Sequence, residues 1–255
     1  AATITANAMA KNERAMTQTM ERLATGSRVN SASDDAAGLA ISSKMTSQVR
    51  GLNQAVRNGN DAIAMLQTVD GAAIEVSNML QRMRELTVQG GTGTLSSTDL
   101  TALNTEFVAL RTEIDRIANN TQWNGEAVLN GTAGDFGALT FQVGFDNDQT
   151  IVVNVGDWNT AATVQDWGTG ATANDVYGEV ISGLTMTDAA LSNSSLASID
   201  VAIAGIDAQR ATVGAAINTL EYAVDNLANA SQNTQAARSR IQDADYASET
   251  TELAR

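Results

Sequence analysis

Proline, cysteine and histidine are all absent from this 255-residue chain. Each absence removes a class of function or a constraint. Without Cys there is no disulfide and no thiolate nucleophile. With neither Cys nor His, the ordinary zinc, copper and haem sites are excluded, and the commonest general base is missing. Without Pro, nothing of that kind interrupts a long helix. Aromatic residues make up 4%, too few to anchor a large globular core, so a thin rod packed by Ala, Leu, Ile and Val is expected. Basic residues are also scarce: 15 Lys and Arg against 29 Asp and Glu give a net charge of −14. An acidic chain with no basic run suits neither nucleic acid nor an anionic membrane as a partner. No apolar run approaches a membrane-spanning length. Lys11, Glu13 and Arg14 interrupt what would be the apolar core of a signal peptide.

What the chain does have is helical periodicity. From Ala36 to Gln89, apolar residues recur at Met45, Val49, Leu52, Val56, Ile63, Leu66, Val69, Ala73, Val76, Leu80 and Met83. Steps of three and four, with Gly59 in a gap, make a coiled-coil seam with one stammer-type slip around Leu66. A helix of that span is about 80 Å long and cannot leave its stripe wet, so other helices must cover it. Gly90-Gly91-Thr92-Gly93 stops it; no Lys follows, so this is not a phosphate loop. Ser96 or Ser97 opens a second helix, which carries Leu100, Leu103, Phe107, Leu110, Ile114 and Ile117 and ends in turns at Asn119-Asn120 and Asn124-Gly125. A last long helix is expected to open at Ser194 or Ser195. It keeps the spacing through Leu196, Ile199, Ile203, Ile206, Val213, Ile217, Leu220, Val224 and Leu227, with Arg210 breaking the set. The line weakens through Ser231 and Thr234 and resumes at Ile241. Helices from the two chain ends are therefore predicted to lie side by side.

Residues 1–24 read as a helix with a weak stripe, Ile4, Met9, Met16, Met20 and Leu23, that has no obvious partner nearby in sequence. It is expected to be an association segment that orders against partners. Thr25-Gly26-Ser27 breaks it. Ser31-Ala32-Ser33-Asp34 has the form of a capping box, which would place Asp34 and Asp35 in a first helical turn. In the middle, Leu139–Val143 and Ile151–Val155 alternate as strands about a hairpin loop at 144–149. Asp146-Asn147-Asp148 in that loop lacks the Gly and distal Glu of an EF-hand. Residues 156–192 have no firm period. Asn130-Gly131-Thr132 matches a glycan-acceptor sequon. The carboxylate pairs Asp243/Asp245 and Glu249/Glu252 read as solvated charges rather than an acid–base pair. No enzyme activity, metal or cofactor is expected. The predicted fold class is mainly α: an elongated rod of long coiled-coil-like helices from both chain ends, with a central β-hairpin region and a short variable segment.

The two ends closely resemble bacterial flagellin. The resemblance is carried by Glu21-Arg22-Leu23, by residues 26–32 (GSRVNSA) and 34–41 (DDAAGLAI), and by Arg57-Asn58, Asn60-Asp61, Gln67-Thr68 and Gly71-Ala72. It continues in residues 80–86 (LQRMREL) and 113–117 (EIDRI), and at the far end in 236–241 (AARSRI) and 243–247 (DADYA). The hairpin at 141–151 is also similar to the family's. The combination implies a secreted, extracellular structural subunit of the bacterial flagellum that self-assembles through its helical ends for motility. The implied partners are other flagellin subunits, the flagellar export apparatus, a chaperone and the filament cap. The implied layout is a filament-core helix at 1–33, rod halves at 34–125 and 193–246, a β-hairpin and variable region at 126–192, and the start of a second core helix at 247–255. Family members usually begin before Ala1 and continue past Arg255 into an apolar tail, so both tips are expected to be missing, and the chain as given is expected to stay monomeric or weakly associated.

The resemblance further implies that the face around residues 81–86 meets a Toll-like innate receptor, with Arg82 as a bidentate cation, Leu86 as an apolar anchor and Glu106 as an acceptor. Arg82 is expected on the flank of the helix, largely exposed. Two other readings stay open. One is an innate-immune recognition ligand or surface-binding variant rather than a motility filament. The other is a hook–filament junction protein, which usually carries a Pro after the paired Asp, whereas Ala36-Ala37-Gly38 follows here.

Overall fold

A computed structural model describes residues 2–134, 137–159, 184 and 189–254, excepting the side chains of 2 and 189–194. Among these residues the helices are α1 (Ala2–Thr25), α2 (Ala36–Gly90), α3 (Ser97–Asn120), α4 (Ala189–Gln242) and α5 (Tyr246–Ala254). The strands are β1 (Gln122–Trp123), β2 (Glu126–Ala127), β3 (Ala138–Gln142) and β4 (Thr150–Asn154). The chain is mainly α, with two small antiparallel hairpins, β1–β2 and β3–β4. It divides into two compact units, each discontinuous in sequence. One comprises 1–56, 144–147 and 225–255, and the other 57–143 and 148–224, so α2 and α4 each supply a segment to both. Most of the expected variable segment, 160–183, lies outside the described residues.

The larger unit holds the apolar core. Leu66, Val69, Ala73, Val76, Leu80 and Met83 of α2 are buried with Phe107 and Ile114 of α3 and with Ile199, Ala202, Ile206, Val213 and Leu220 of α4. Leu110, Ile203 and Ile217 are only partly buried and flank this line, as is Val224. The predicted seam needs one correction. Val56 and Ile63 are half-buried, while Ala55, Gly59 and Ala62 carry the contact, continuous with buried Leu52. The 3-3 slip therefore falls at Val49-Leu52-Ala55, before rather than around Leu66. Small residues take the inward positions because the partner helix comes close there: a Cβ on Gly59 would lie 2.5 Å from Val224 Cγ2. The gap at Arg210 is filled by an ion pair, its Nε donating to Asp70 Oδ1 at 3.0 Å.

The smaller unit pairs the same two helices with polar contacts. Ser42 donates to Gln242 Oε1 at 2.7 Å, Ser231 to Asn53 Oδ1 at 2.7 Å, and Arg238 to Thr46 Oγ1 at 3.4 Å. Here the apolar line of α4 fades, and Leu227 is half-buried. The tip of the β3–β4 hairpin also belongs to this unit. A Cβ on Gly51 would come within 2.8 Å of Phe145 Cβ.

Helix ends follow local chemistry. Ser96 caps α3, with its side chain accepting from Asp99 N and Asp99 bonding back to Ser96 N, a full capping box. The expected box at Ser31 does not form. Asp35 caps α2 instead, its Oδ1 accepting from Gly38 N at 2.9 Å, so neither Asp34 nor Asp35 enters the first turn. The paired Asp offers two competing acceptors, and the second wins the cap while the first binds the loop before it. Helix α4 begins at Ala189, ahead of the Ser194 or Ser195 start expected; Ser195 is buried within it. The short β1–β2 hairpin turns on Asn124 (φ 50°) and Gly125 (φ 86°), the type I′ pattern of an Asn-Gly turn. In the longer hairpin, Leu139 pairs with Val153 and Phe141 with Ile151. One face points inward, with Leu139 and Val153 buried.

Two helical glycines give opposed expectations. At Gly59, an added methyl must displace the stiff Val224 side chain, costing about 1–3 kcal/mol, against roughly 1 kcal/mol gained in helix preference. At exposed Gly71 nothing lies within 4 Å of the added Cβ. Gly71→Ala should therefore stabilise by about 0.5–1 kcal/mol and Gly59→Ala should not. Thermal melts of the two variants check this; equal shifts would mean that α2 and α4 do not meet at Gly59.

Candidate interaction surfaces

Within the larger unit, α2 and α3 together hold the expected receptor residues. Arg82 Nε donates to Glu106 Oε1 at 2.8 Å, and its Nη1 donates to Glu85 Oε2 at 2.9 Å. The bond to Glu106, then that to Glu85, favours the charged guanidinium and raises its pKa. The Arg82 side chain is 49% exposed. It sits on the flank of α2, one position off the buried line at Met83, as its register requires. Leu86 is different. It is 1% exposed and belongs to the apolar core. Three residues beyond Met83, it falls on the same stripe, so its side chain is already covered by its own chain and presents no anchor to a partner. Other surface charges are paired in the same manner: Arg84 with Asp200 at 2.6 Å and Arg116 with Glu113 at 2.5 Å.

Elsewhere in the larger unit lies a shallow groove of about 270 Å³, lined by Asn58, Asp61, Ala62, Met65, Trp123, Thr140, Phe141 and Gln142. Sequence reasoning did not find it. The Asn-Gly turn was the available signal, since it folds β1–β2 and carries Trp123 there. Trp158 was missed as well; it is fully buried, with Nε1 donating to Val155 O at 2.8 Å. Among the described residues no group of three or more His, Cys, Asp or Glu is placed to hold a metal ion. No described helix is long and apolar enough to cross a membrane.

In the smaller unit the two chain ends meet. Gly26, at φ 69°, ends α1 by donating to Arg22 O at 2.8 Å. Its carbonyl accepts from Ala244 N at 3.0 Å, and Arg28 N donates to Gln242 O at 2.7 Å. Tyr246 Oη donates to Leu23 O, and Arg22 pairs with Glu249 at 3.2 Å. The residues quoted above for both terminal motifs thus hold each other. Asp34 gathers the intervening loop: its Oδ2 accepts from Ser31 N, Asn30 N and the Ser31 hydroxyl, and its Oδ1 accepts from Gln18 Nε2. Those donors, Ser31 N first, hold its carboxyl below the ordinary 3.8. Helix α1 is tied to α5 through the Arg22 side chain and the Leu23 carbonyl, and of its apolar stripe Leu23 alone is half-buried. Ile4, Met9, Met16 and Met20 are all exposed.

Long paired helices from both chain ends, with two small antiparallel hairpins between them in sequence, define a mainly helical protein of coiled-coil-like packing. Residues 1–134 match the bacterial flagellin N-terminal helical region, and residues 196–255 match the bacterial flagellin C-terminal helical region. The chain belongs to the bacterial flagellin family. It is 47% identical to the flagellin of Escherichia coli K12 over 152 residues, which is 60% of this chain and 30% of that protein. It is 46% identical to flagellin C of Vibrio cholerae over 143 residues, 56% of this chain and 37% of that one. The aligned region thus spans about a third of these relatives' length. The crystal structure of Bacillus cereus flagellin superposes with a TM-score of 0.53 at 31% identity, covering 67% of this chain and 88% of that one. A flagellar hook-associated protein of Vibrio parahaemolyticus superposes at 0.62 but 17% identity, covering 82% of this chain and all of that one, and shares the fold alone.

The Asp34 loop gives a pH dependence whose sign is fixed. Its carboxyl is depressed in the folded state, so its contribution is fully present above 3.8 and is lost as pH falls through the lower folded-state value. Asp34→Asn should melt below the parent at neutral pH, and the difference should shrink as the pH is lowered past 3.8. A gap that persists unchanged at low pH would show that the carboxylate is not what holds this loop.

Proposed function

We propose that this chain is a structural subunit of the bacterial flagellar filament, secreted and extracellular, whose association runs through its helical ends. Family membership supports this, and the observation that carries it is the outward face of α1. Met9, Met16 and Met20 fall within about 40° of one another around that helix, and all three are more than half exposed. An apolar face on a helix docked by its other side is suited to burial against further copies. The reading is structural rather than catalytic. Its partners are other subunits, together with the export apparatus, a chaperone and the filament cap that handle such a subunit. The division into core-helix segments at 1–33 and 247–255, rod halves at 34–125 and 193–246, and a surface region at 126–192 belongs to the same proposal. Met16→Glu with Met20→Glu should leave the melting temperature unchanged and abolish filaments in a flagellin-deficient host, as seen by electron microscopy. Normal filaments from the double variant would sink this reading.

A second reading is favoured by the exposed Arg82–Glu106 pair. It is recognition by a Toll-like innate receptor through these two charged residues, with Leu86 serving only to support them from the core. An exposed pair of this kind contributes little to folding. Arg82→Ala should thus melt as the parent does and bind the receptor ectodomain at least roughly tenfold more weakly, as a lost charged partner at an interface would give. Undiminished binding by the folded variant would remove Arg82 from that role.

A further inference from the structure

The chain has 8 methionines; Met186 lies outside the described residues, and the other seven differ sharply in access. Met9, Met16 and Met20 are 69%, 54% and 56% exposed on one face of α1. Met83 is fully buried and Met65 is 9% exposed, both in the apolar core of the larger unit. Met45 and Met79 lie between these extremes. Thioether oxidation follows access, and it turns a flexible apolar side chain into a polar one.

We infer that Met9, Met16 and Met20 form an oxidation-sensitive face, and that their conversion to sulfoxides by a hydroperoxide blocks association of the subunit. The inference rests on the filament reading given above for what that face does. The step balances. The thioether sulfur attacks one peroxide oxygen and the O–O bond breaks as the S–O bond forms. The proton on the transferred oxygen passes to the leaving oxygen, which departs as water from hydrogen peroxide or as the alcohol from an organic hydroperoxide. Sulfur loses two electrons and the peroxide gains them. The fold tolerates the change, because α1 is held by Arg22, Leu23 and Gly26 against the Tyr246–Ala254 helix and uses none of the three methionines. A subunit already assembled through this face would shield it, so the free chain is the vulnerable form. With no Cys in the sequence, no thiol competes for the oxidant.

The test uses the purified chain and hydrogen peroxide, with sulfoxide at each methionine followed by peptide mass mapping. Met9, Met16 and Met20 should oxidise at least tenfold faster than Met65 and Met83, with the melting temperature unchanged. Polymerisation is read as addition of the chain to filament seeds of a related flagellin, by sedimentation; it should drop severalfold after oxidation and recover after treatment with methionine sulfoxide reductases. A variant carrying Met9→Leu, Met16→Leu and Met20→Leu should polymerise equally before and after peroxide. Equal oxidation of core and surface methionines would overturn the site. Polymerisation of the oxidised chain at the parent's level would overturn the switch while leaving the filament reading intact. Failure of the unoxidised chain to add to filament seeds at all would remove the filament reading and the switch together, with the oxidation rates still deciding whether the site exists.

Discussion

Antiparallel packing of α2 against α4 is the contact on which the rest depends. Each helix carries an apolar stripe that cannot stay in water, and each is the other's cover. The partners are far apart in sequence: Asp70 meets Arg210 140 positions away, and Asn53 meets Ser231 178 positions away. Everything between them, from α3 through both hairpins, is thereby held as an insertion whose ends are fixed. Closing so long a loop is entropically costly, although the cost grows only slowly with its length. The buried leucines, isoleucines and valines of the larger unit supply the offsetting burial, and α3 adds Phe107 and Ile114 to the same core.

The two units use different chemistry along the same helix pair. In the larger one the seam is apolar and the single charge on it, Arg210, is answered by Asp70. In the smaller one the contacts are hydroxyl to amide: Ser42 to Gln242 and Ser231 to Asn53. An apolar seam tolerates small slips, because burial is non-directional. A buried hydroxyl does not, because losing its partner leaves an unsatisfied polar group. The polar contacts therefore fix register near the chain ends, where Gly26, Arg28 and Tyr246 tie the two termini together.

That tie leaves an apolar helical face outside. Helix α1 docks by its carboxyl-terminal turn and offers Met9, Met16 and Met20 to the surroundings, a configuration useful to a subunit and wasteful in a protein that works alone. The same exposure makes these side chains the most accessible thioethers among the described residues. Association and susceptibility to oxidation thus follow from one geometric fact.

Helix periodicity, the glycine stop after Gln89, the Ser96 cap and the alternating strands about residues 144–149 were all legible in the chain, because each is written in local spacing and needs no distant residue. The paired ends were legible too, since two stripes without local cover imply one another. The sequence alone could not choose between Asp34 and Asp35 as the cap of α2, because both are chemically competent and only the path of the preceding loop decides. Nor could it choose Ala55 and Ala62 over Val56 and Ile63 as the inward positions. Hydrophobicity favours the larger residues, but the closeness of Val224 to Gly59 admits only the smaller ones. Leu86 reads equally well as an anchor or as core until the neighbouring helices are in place. Tertiary structure settled these points, because the space available to a side chain is set by the residue across the seam, and the sequence names that residue without saying how near it stands.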